Sequence, residues 1–202
     1  IVDELKNDLN SNTFFLPQAC YPKYHHKVKL SEEDFKEYGC DITNAGNMYP
    51  NRIALYKKLI KYNIKMWGSP AAIWAKSEIP LNIMQNQVVH NDEKAKAFSA
   101  AKIVLNNLHP AEINGLNKRT FEIPACLGFQ LTNYRFAVEE LFDLDKEIVT
   151  YKNFDDMIEK IEYYLNHEDE RKKIAEAGML RAHKDHTYEV RLKEMLSIIF
   201  KT

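Results

Sequence analysis

Arg119 and Glu122 stand three residues apart in the run Asn114-Gly115-Leu116-Asn117-Lys118-Arg119-Thr120-Phe121-Glu122-Ile123-Pro124. A guanidinium beside the free N–H groups of a helix start makes an anion site, and a carboxylate on the first turn accepts hydrogen bonds from sugar hydroxyls. Pro124 cannot sit deep in a helix, because its ring clashes with the carbonyl four residues back. The helix is therefore expected to open at Thr120, a good N-cap, and to stop at Gly128. That places Gly115, Leu116 and Asn117 in the turn at its positive end. The same spacing also fits a plain helix carrying a solvated Arg and Glu.

Two further junctions could contribute to such a site. Residues 41–47 read as a strand that ends in Gly46-Asn47-Met48-Tyr49-Pro50-Asn51-Arg52, with Pro50 suited to the first turn of a helix over 51–62. Gly46 permits close backbone approach to a ligand, and Arg52 adds charge where the helix dipole favours an anion. The run lacks both Gly-x-Gly-x-x-Gly and Gly-Lys-Ser/Thr, so a plain strand-to-helix turn remains the alternative. Residues 102–107 read as a strand followed by Leu108-His109-Pro110, which puts Asn107 and His109 at its carboxyl end as candidate hydrogen-bonding groups.

These positions need a scaffold, and the rest of the chain supplies one. Strands are expected at 64–67, 87–90, 129–133 and 147–151, and helices at 92–101, 138–142, 154–166, 167–182 and 187–200. Alternation of this kind gives an α/β fold, a parallel sheet with helices on both faces and ligands bound beyond the carboxyl ends of the strands. The irregular stretch after Gly68, which carries Trp74, is expected to wall a pocket. Residues 1–30, with a short helix and a strand at 13–17, read as a linker or remnant of a missing amino-terminal domain. Residues 31–185 form the main domain and 186–202 a terminal helix. His25 and His26 point apart on any regular element and are read as surface; His183 and His186 fall at a helix junction.

The chain has 202 residues, 45% hydrophobic and 11% aromatic, enough to bury a core. A net charge of -1 and a pI near 6.7 give no global basic field, so a nucleic-acid partner is not expected and the ligand should be small. Three dispersed cysteines suit a reducing cytosol, and a cytoplasmic location is expected. No apolar run approaches the ~20 residues that span a bilayer. The chain opens without Met and is expected to be an excised fragment.

Four ordered motifs carry a resemblance: Gly-Asn-Met-Tyr-Pro-Asn-Arg from Gly46, Gly-Leu-Asn-Lys-Arg-Thr-Phe-Glu-Ile-Pro-Ala-Cys from Gly115, Tyr-Tyr-Leu-Asn-His from Tyr163 and His-Thr-Tyr-Glu-Val-Arg from His186. The chain resembles the carboxyl-terminal half of spore-maturation-type group 1 glycosyltransferases, a bacterial type. The resemblance implies one of two Rossmann-like domains facing a cleft, the GT-B architecture, with this half holding a nucleotide-diphosphate sugar and the missing half holding an unknown acceptor. It implies Glu122 on the ribose, Arg52 and the helix start at 117–120 on the diphosphate, Arg119 with Glu122 at the chemistry, and donor contacts from Gly46, Asn47, Asn107, His109, Gly115, Leu116, Asn117 and Thr120. The wider superfamily often places a sugar-contacting glutamate seven residues before the ribose glutamate, where this chain has Gly115. No metal or other cofactor is expected, since fixed cations can stabilise the leaving diphosphate and no Asp-x-Asp motif is present. The isolated fragment is expected to bind donor with little turnover, and the apolar terminal helix to drive self-association. A non-catalytic nucleotide-binding module and a nucleotide-sugar epimerase of the same fold are the alternatives; the epimerase needs paired acid and base carboxylates, and only Glu122 is firmly placed.

Overall fold

Five short segments pair into one parallel sheet in the computed structural model, which describes residues 2–8, 12–69, 78–80 and 82–200. The order of elements is α1 (Val2–Asp8), α2 (Glu32–Tyr38), β1 (Cys40–Ala45), α3 (Pro50–Lys57), β2 (Ile64–Trp67), α4 (Asn91–Ala100), β3 (Ala101–Asn106), α5 (Arg119–Ala125), β4 (Gln130–Asn133), α6 (Phe136–Leu141), β5 (Val149–Tyr151), α7 (Phe154–Asn166), α8 (Glu168–Asp185) and α9 (Tyr188–Phe200). The strand order is β2-β1-β3-β4-β5, all neighbours parallel. Register follows burial: Ile42 pairs with Ile64 and Ile103, and Leu131 with Leu105 and Val149. Covered on both faces, the central strands are buried along nearly their whole length, including the polar Thr43, Asn44, Asn106, Gln130 and Thr132.

Alternation sorts their side chains into two cores. On one face Ile42, Ile103, Leu105 and Leu131 pack with Ile53 and Tyr56 of α3, Met157 and Ile161 of α7 and Ile174 of α8. On the other, Ala45 and Val104 meet Ala95 and Phe98 of α4 and Ile123 of α5, while Phe121 of α5 joins Val138 and Ile148 in an adjoining cluster. The outer side of α9 leaves Leu192, Leu196, Ile199 and Phe200 exposed.

Some expected elements differ. Residues 87–90 form no strand: Asn86 takes a left-handed φ of 55°, and the Gln87 carbonyl accepts from Gly68 N at 2.8 Å before His90 takes the N-cap position of α4. Residues 13–17 run as irregular chain, with Phe14 and Phe15 half exposed. The segment that follows is packed down. Cys20 and Thr187 form a parallel bridge, Cys20 N donating to His186 O at 2.9 Å and Tyr188 N to Cys20 O at 3.0 Å. Trp74 lies outside the described residues.

Candidate functional site

The carboxyl ends of β1 and β2 and the start of α5 converge on an open cavity of about 460 Å³. Asn106, the last residue of β3, holds the start of α5 in place from behind. Its amide exchanges contacts with Asn117, Asn117 Nδ2 donating to Asn106 Oδ1 at 3.1 Å and Asn106 Nδ2 reaching Asn117 Oδ1 at 3.3 Å. Asn117 Oδ1 also accepts from Thr120 N at 3.2 Å, so Asn117 and not Thr120 caps α5. The Thr120 hydroxyl is turned inward instead, within 3.3 Å of Asn106 Nδ2. At the far end the helix closes with a Schellman pair, Gly128 N to Ile123 O (3.0 Å) and Leu127 N to Pro124 O (2.8 Å). The left-handed residue there is Leu127, φ 61°; Gly128 is demanded by packing, since a Cβ would come within 2.9 Å of Ile123 Cγ2.

Gly46 supports the cationic part of the site. Its φ of 143° belongs to glycine, and any Cβ there would collide with the Arg119 guanidinium and crowd Arg52 Nη1 at 3.2 Å. Two guanidiniums thus meet at one backbone position. Arg119 Nη1 donates to the Ala45 carbonyl at 2.5 Å; Arg52 donates from Nε to Asn107 Oδ1 at 3.0 Å and from Nη1 to the Asn47 carbonyl at 2.5 Å. Arg52 is only 3% exposed. Among the described residues, neither arginine has a carboxylate within ion-pair distance. Burial, then the Arg52 charge, push the Arg119 guanidinium down to about 10, and burial lowers Arg52 as well. Both stay cationic at neutral pH, and an anion between them would relieve their repulsion.

Glu122 lies one turn along α5 and also lines the cavity, yet it is 3% exposed. Lys94 Nζ of α4 donates to its Oε2 at 3.3 Å, His25 Nε2 lies 3.3 Å from its Oε1, and Lys118 Nζ stands 3.8 Å away. His25, read as surface from its pairing with His26, is therefore part of the site. Gly46, Asn47, Asn117, Arg119 and Glu122 line the cavity; Arg52 and Asn107 brace it from behind. His109, Gly115, Leu116 and Thr120 are not brought to its wall: His109 packs edge-on to Tyr49 at 5.3 Å, and Leu116 is buried in the cluster around Phe121. The side chain beside Gly115 is that of Glu112, a wall residue sequence reasoning missed, as it missed Lys94, Trp67 and His90; Lys118, within the expected helix start at 117–120, is also in the wall. A larger cavity of about 570 Å³ opens at the opposite, amino-terminal edge of the sheet, around Asp41, Lys102 and Arg171.

Comparison with known proteins bears on the family and the fold. A family model described as glycosyl transferase-like matches residues 52–197. Spore protein CgeB of Bacillus subtilis (strain 168) is 26% identical over 181 residues, covering 77% of this chain and 54% of the relative. The chain thus spans about half the length of that relative. Sucrose-phosphate synthase from Thermosynechococcus elongatus superposes with a TM-score of 0.72 at 12% identity, over 98% of this chain and 55% of that one. Anabaena HepE, solved in complex with UDP-glucose, gives 0.66 at 9% identity, over 91% and 56%. At such identities the structural likeness establishes the fold, a Rossmann-like half of the GT-B architecture. With the family model matched across most of its length, the chain belongs to the glycosyl transferase-like family.

Proposed function

We propose that this chain is the donor-binding half of a glycosyltransferase, holding a nucleotide-diphosphate sugar at the Gly46–Arg119–Glu122 cavity for transfer of the glycosyl group to an acceptor. The observation that carries this reading is the pair Arg52, buried, and Arg119, half-buried in the cavity wall, two guanidiniums meeting at Gly46 without a carboxylate partner among the described residues. A diphosphate supplies the missing negative charge. When the sugar–phosphate bond breaks, further charge develops on the diphosphate, and two fixed cations stabilise it without reorganisation at the moment of reaction. Glu122 stands one helical turn away, at a spacing suited to the ribose hydroxyls. The UDP-glucose bound by HepE, which shares the fold, supports a ligand of this class. Glu112 is the carboxylate nearest position 115, where related enzymes carry a sugar-contacting glutamate, and we assign it the donor sugar.

Calorimetric titration of the chain with ADP, GDP and UDP, each in magnesium and in a chelator, tests the reading. Saturable binding of at least one nucleotide, little changed by removing the metal, is expected. Binding strictly dependent on a divalent ion, or no binding of any nucleotide, contradicts it.

A further inference from the structure

The segment before the sheet reaches the candidate site through Gln18, which lines the cavity, and through His25, which meets Glu122. Residues 21–25 close a single turn, with Tyr24 N and His25 N both donating to Tyr21 O at 2.9 Å. The His25 ring completes it, Nδ1 accepting from Tyr21 N at 2.9 Å. That contact leaves Nδ1 without a proton, so the neutral ring carries its hydrogen on Nε2, the atom 3.3 Å from Glu122 Oε1. Burial lowers the His25 pKa more strongly than the nearby Glu122 charge raises it, which favours the neutral ring. The turn itself is fixed from behind: His183 Nε2 of α8 sits 3.0 Å from both the His25 and the Ala125 carbonyls, joining the segment to the end of α5. Upstream, Ala19 and Cys20 are fully buried against α8 and α9.

The groups facing His25 are Glu122 of α5, Lys118 just before it, Lys94 of α4 and His26. The Glu122 carboxylate is thus held from two sides, Oε2 by Lys94 and Oε1 by His25. Lys94 supplies charge on a flexible stem, whereas His25 is a rigid ring fixed through Nδ1 by its own turn, with Nε2 3.3 Å from the carboxylate. Only the ring fixes direction.

We propose that His25 is a positioning residue for Glu122, orienting its carboxylate toward the ribose of the nucleotide and so coupling the segment before the sheet to nucleotide recognition. This rests on the reading of Glu122 as the ribose ligand.

Two variants separate positioning from folding. His25→Asn presents an oxygen near the Nδ1 position and preserves the turn, but cannot reach Glu122. His25→Gln places an N–H near the Nε2 position and keeps that reach. Each is titrated with the tightest of ADP, GDP and UDP, and with inorganic pyrophosphate, which has no ribose. His25→Asn is expected to weaken the nucleotide by about tenfold, as the polar contact at 3.3 Å that orients the carboxylate is lost, and to leave pyrophosphate unchanged. His25→Gln restores the nucleotide affinity, and in a Glu122→Gln background the Asn substitution has no further effect. A His25→Asn protein that binds nucleotide as the parent does, or that loses pyrophosphate in parallel, overturns the inference while leaving the ribose role of Glu122 standing. A parent chain that binds nucleotide no more tightly than pyrophosphate removes the ribose role itself, and the inference falls with it.

Discussion

At Gly46 two cations share the space that a single methyl group would need. The Arg119 head is the far end of a flexible side chain, so an alanine at 46 moves that head more than it moves the sheet. Gly46→Ala is expected to lower pyrophosphate and nucleotide affinity at least tenfold while costing about 1–3 kcal/mol of stability for the strained φ. Titration and thermal melting of the same sample check both parts. The arginine half of this site was legible in the sequence, because Arg52 and Arg119 each follow a strand-to-helix turn. The surroundings of Glu122 were not. On sequence grounds Glu122→Ala removes no core side chain, but Glu122 is nearly buried between Lys94 and His25, and truncation leaves those two facing a void. Glu122→Gln, of equal volume, is the cleaner variant. His25 comes from a different part of the chain and signals nothing by periodicity; only the folded turn at 21–25 brings it in.

Among the elements, α5 decides whether the site exists, and it is too short to hold itself in place. Its position comes from α8, which approaches through Gly178. A Cβ there would strike the Glu147 carbonyl oxygen and come within 3.3 Å of Pro124 Cβ. Gly178→Ala must push α8 off a backbone atom that cannot yield, so a loss of about 1–3 kcal/mol is expected, read as a fall in melting temperature of several degrees. An unchanged melting temperature would show that α5 is held some other way. Elements with strong local signals were readable to the residue. β2 has its expected bounds, and so does α7, where Met157 and Ile161 repeat at helical spacing and Asn153 Oδ1 accepts from Asp156 N at 3.0 Å. Elements decided by tertiary contacts were not: residues 87–90 are apolar enough for a strand, yet Asn86 turns the chain away. The cap of α5 moved from Thr120 to Asn117 because the Thr120 hydroxyl is needed inside, beside Asn106.

Across the whole molecule the helical layer is fastened at His186, where α8 ends and α9 begins. Its Nε2 donates to the Leu141 carbonyl of α6 at 2.8 Å, and its Nδ1 accepts from Arg191 Nη2 at 2.8 Å. Burial, opposed by the bond to Leu141, pulls its pKa from 6.5 to about 4. A base with a depressed folded pKa costs stability as acid is added: the unfolded chain takes up a proton from about pH 6.5 downward while the folded one does not until about pH 4. Above pH 6.5 this contribution is fully present; the full window is worth about 3 kcal/mol. Melting temperature is therefore expected to fall between pH 6.5 and 4, and His186→Gln, which keeps the donor to Leu141, is expected to flatten that limb. An equal acid limb in both proteins would assign it to carboxylates instead. The sheet also offers two cavities at opposite edges, and volume alone favours the one at the amino-terminal edge beside Arg171 and Lys172. Chemistry favours the other, where the Arg52 and Arg119 guanidiniums meet without a carboxylate partner among the described residues. A crystal structure of the chain with the tightest-binding nucleoside diphosphate decides between them. The account predicts the diphosphate against Arg52 and Arg119 beside Gly46, with the ribose hydroxyls at Glu122; a nucleotide seated beside Arg171 and Lys172 would contradict it.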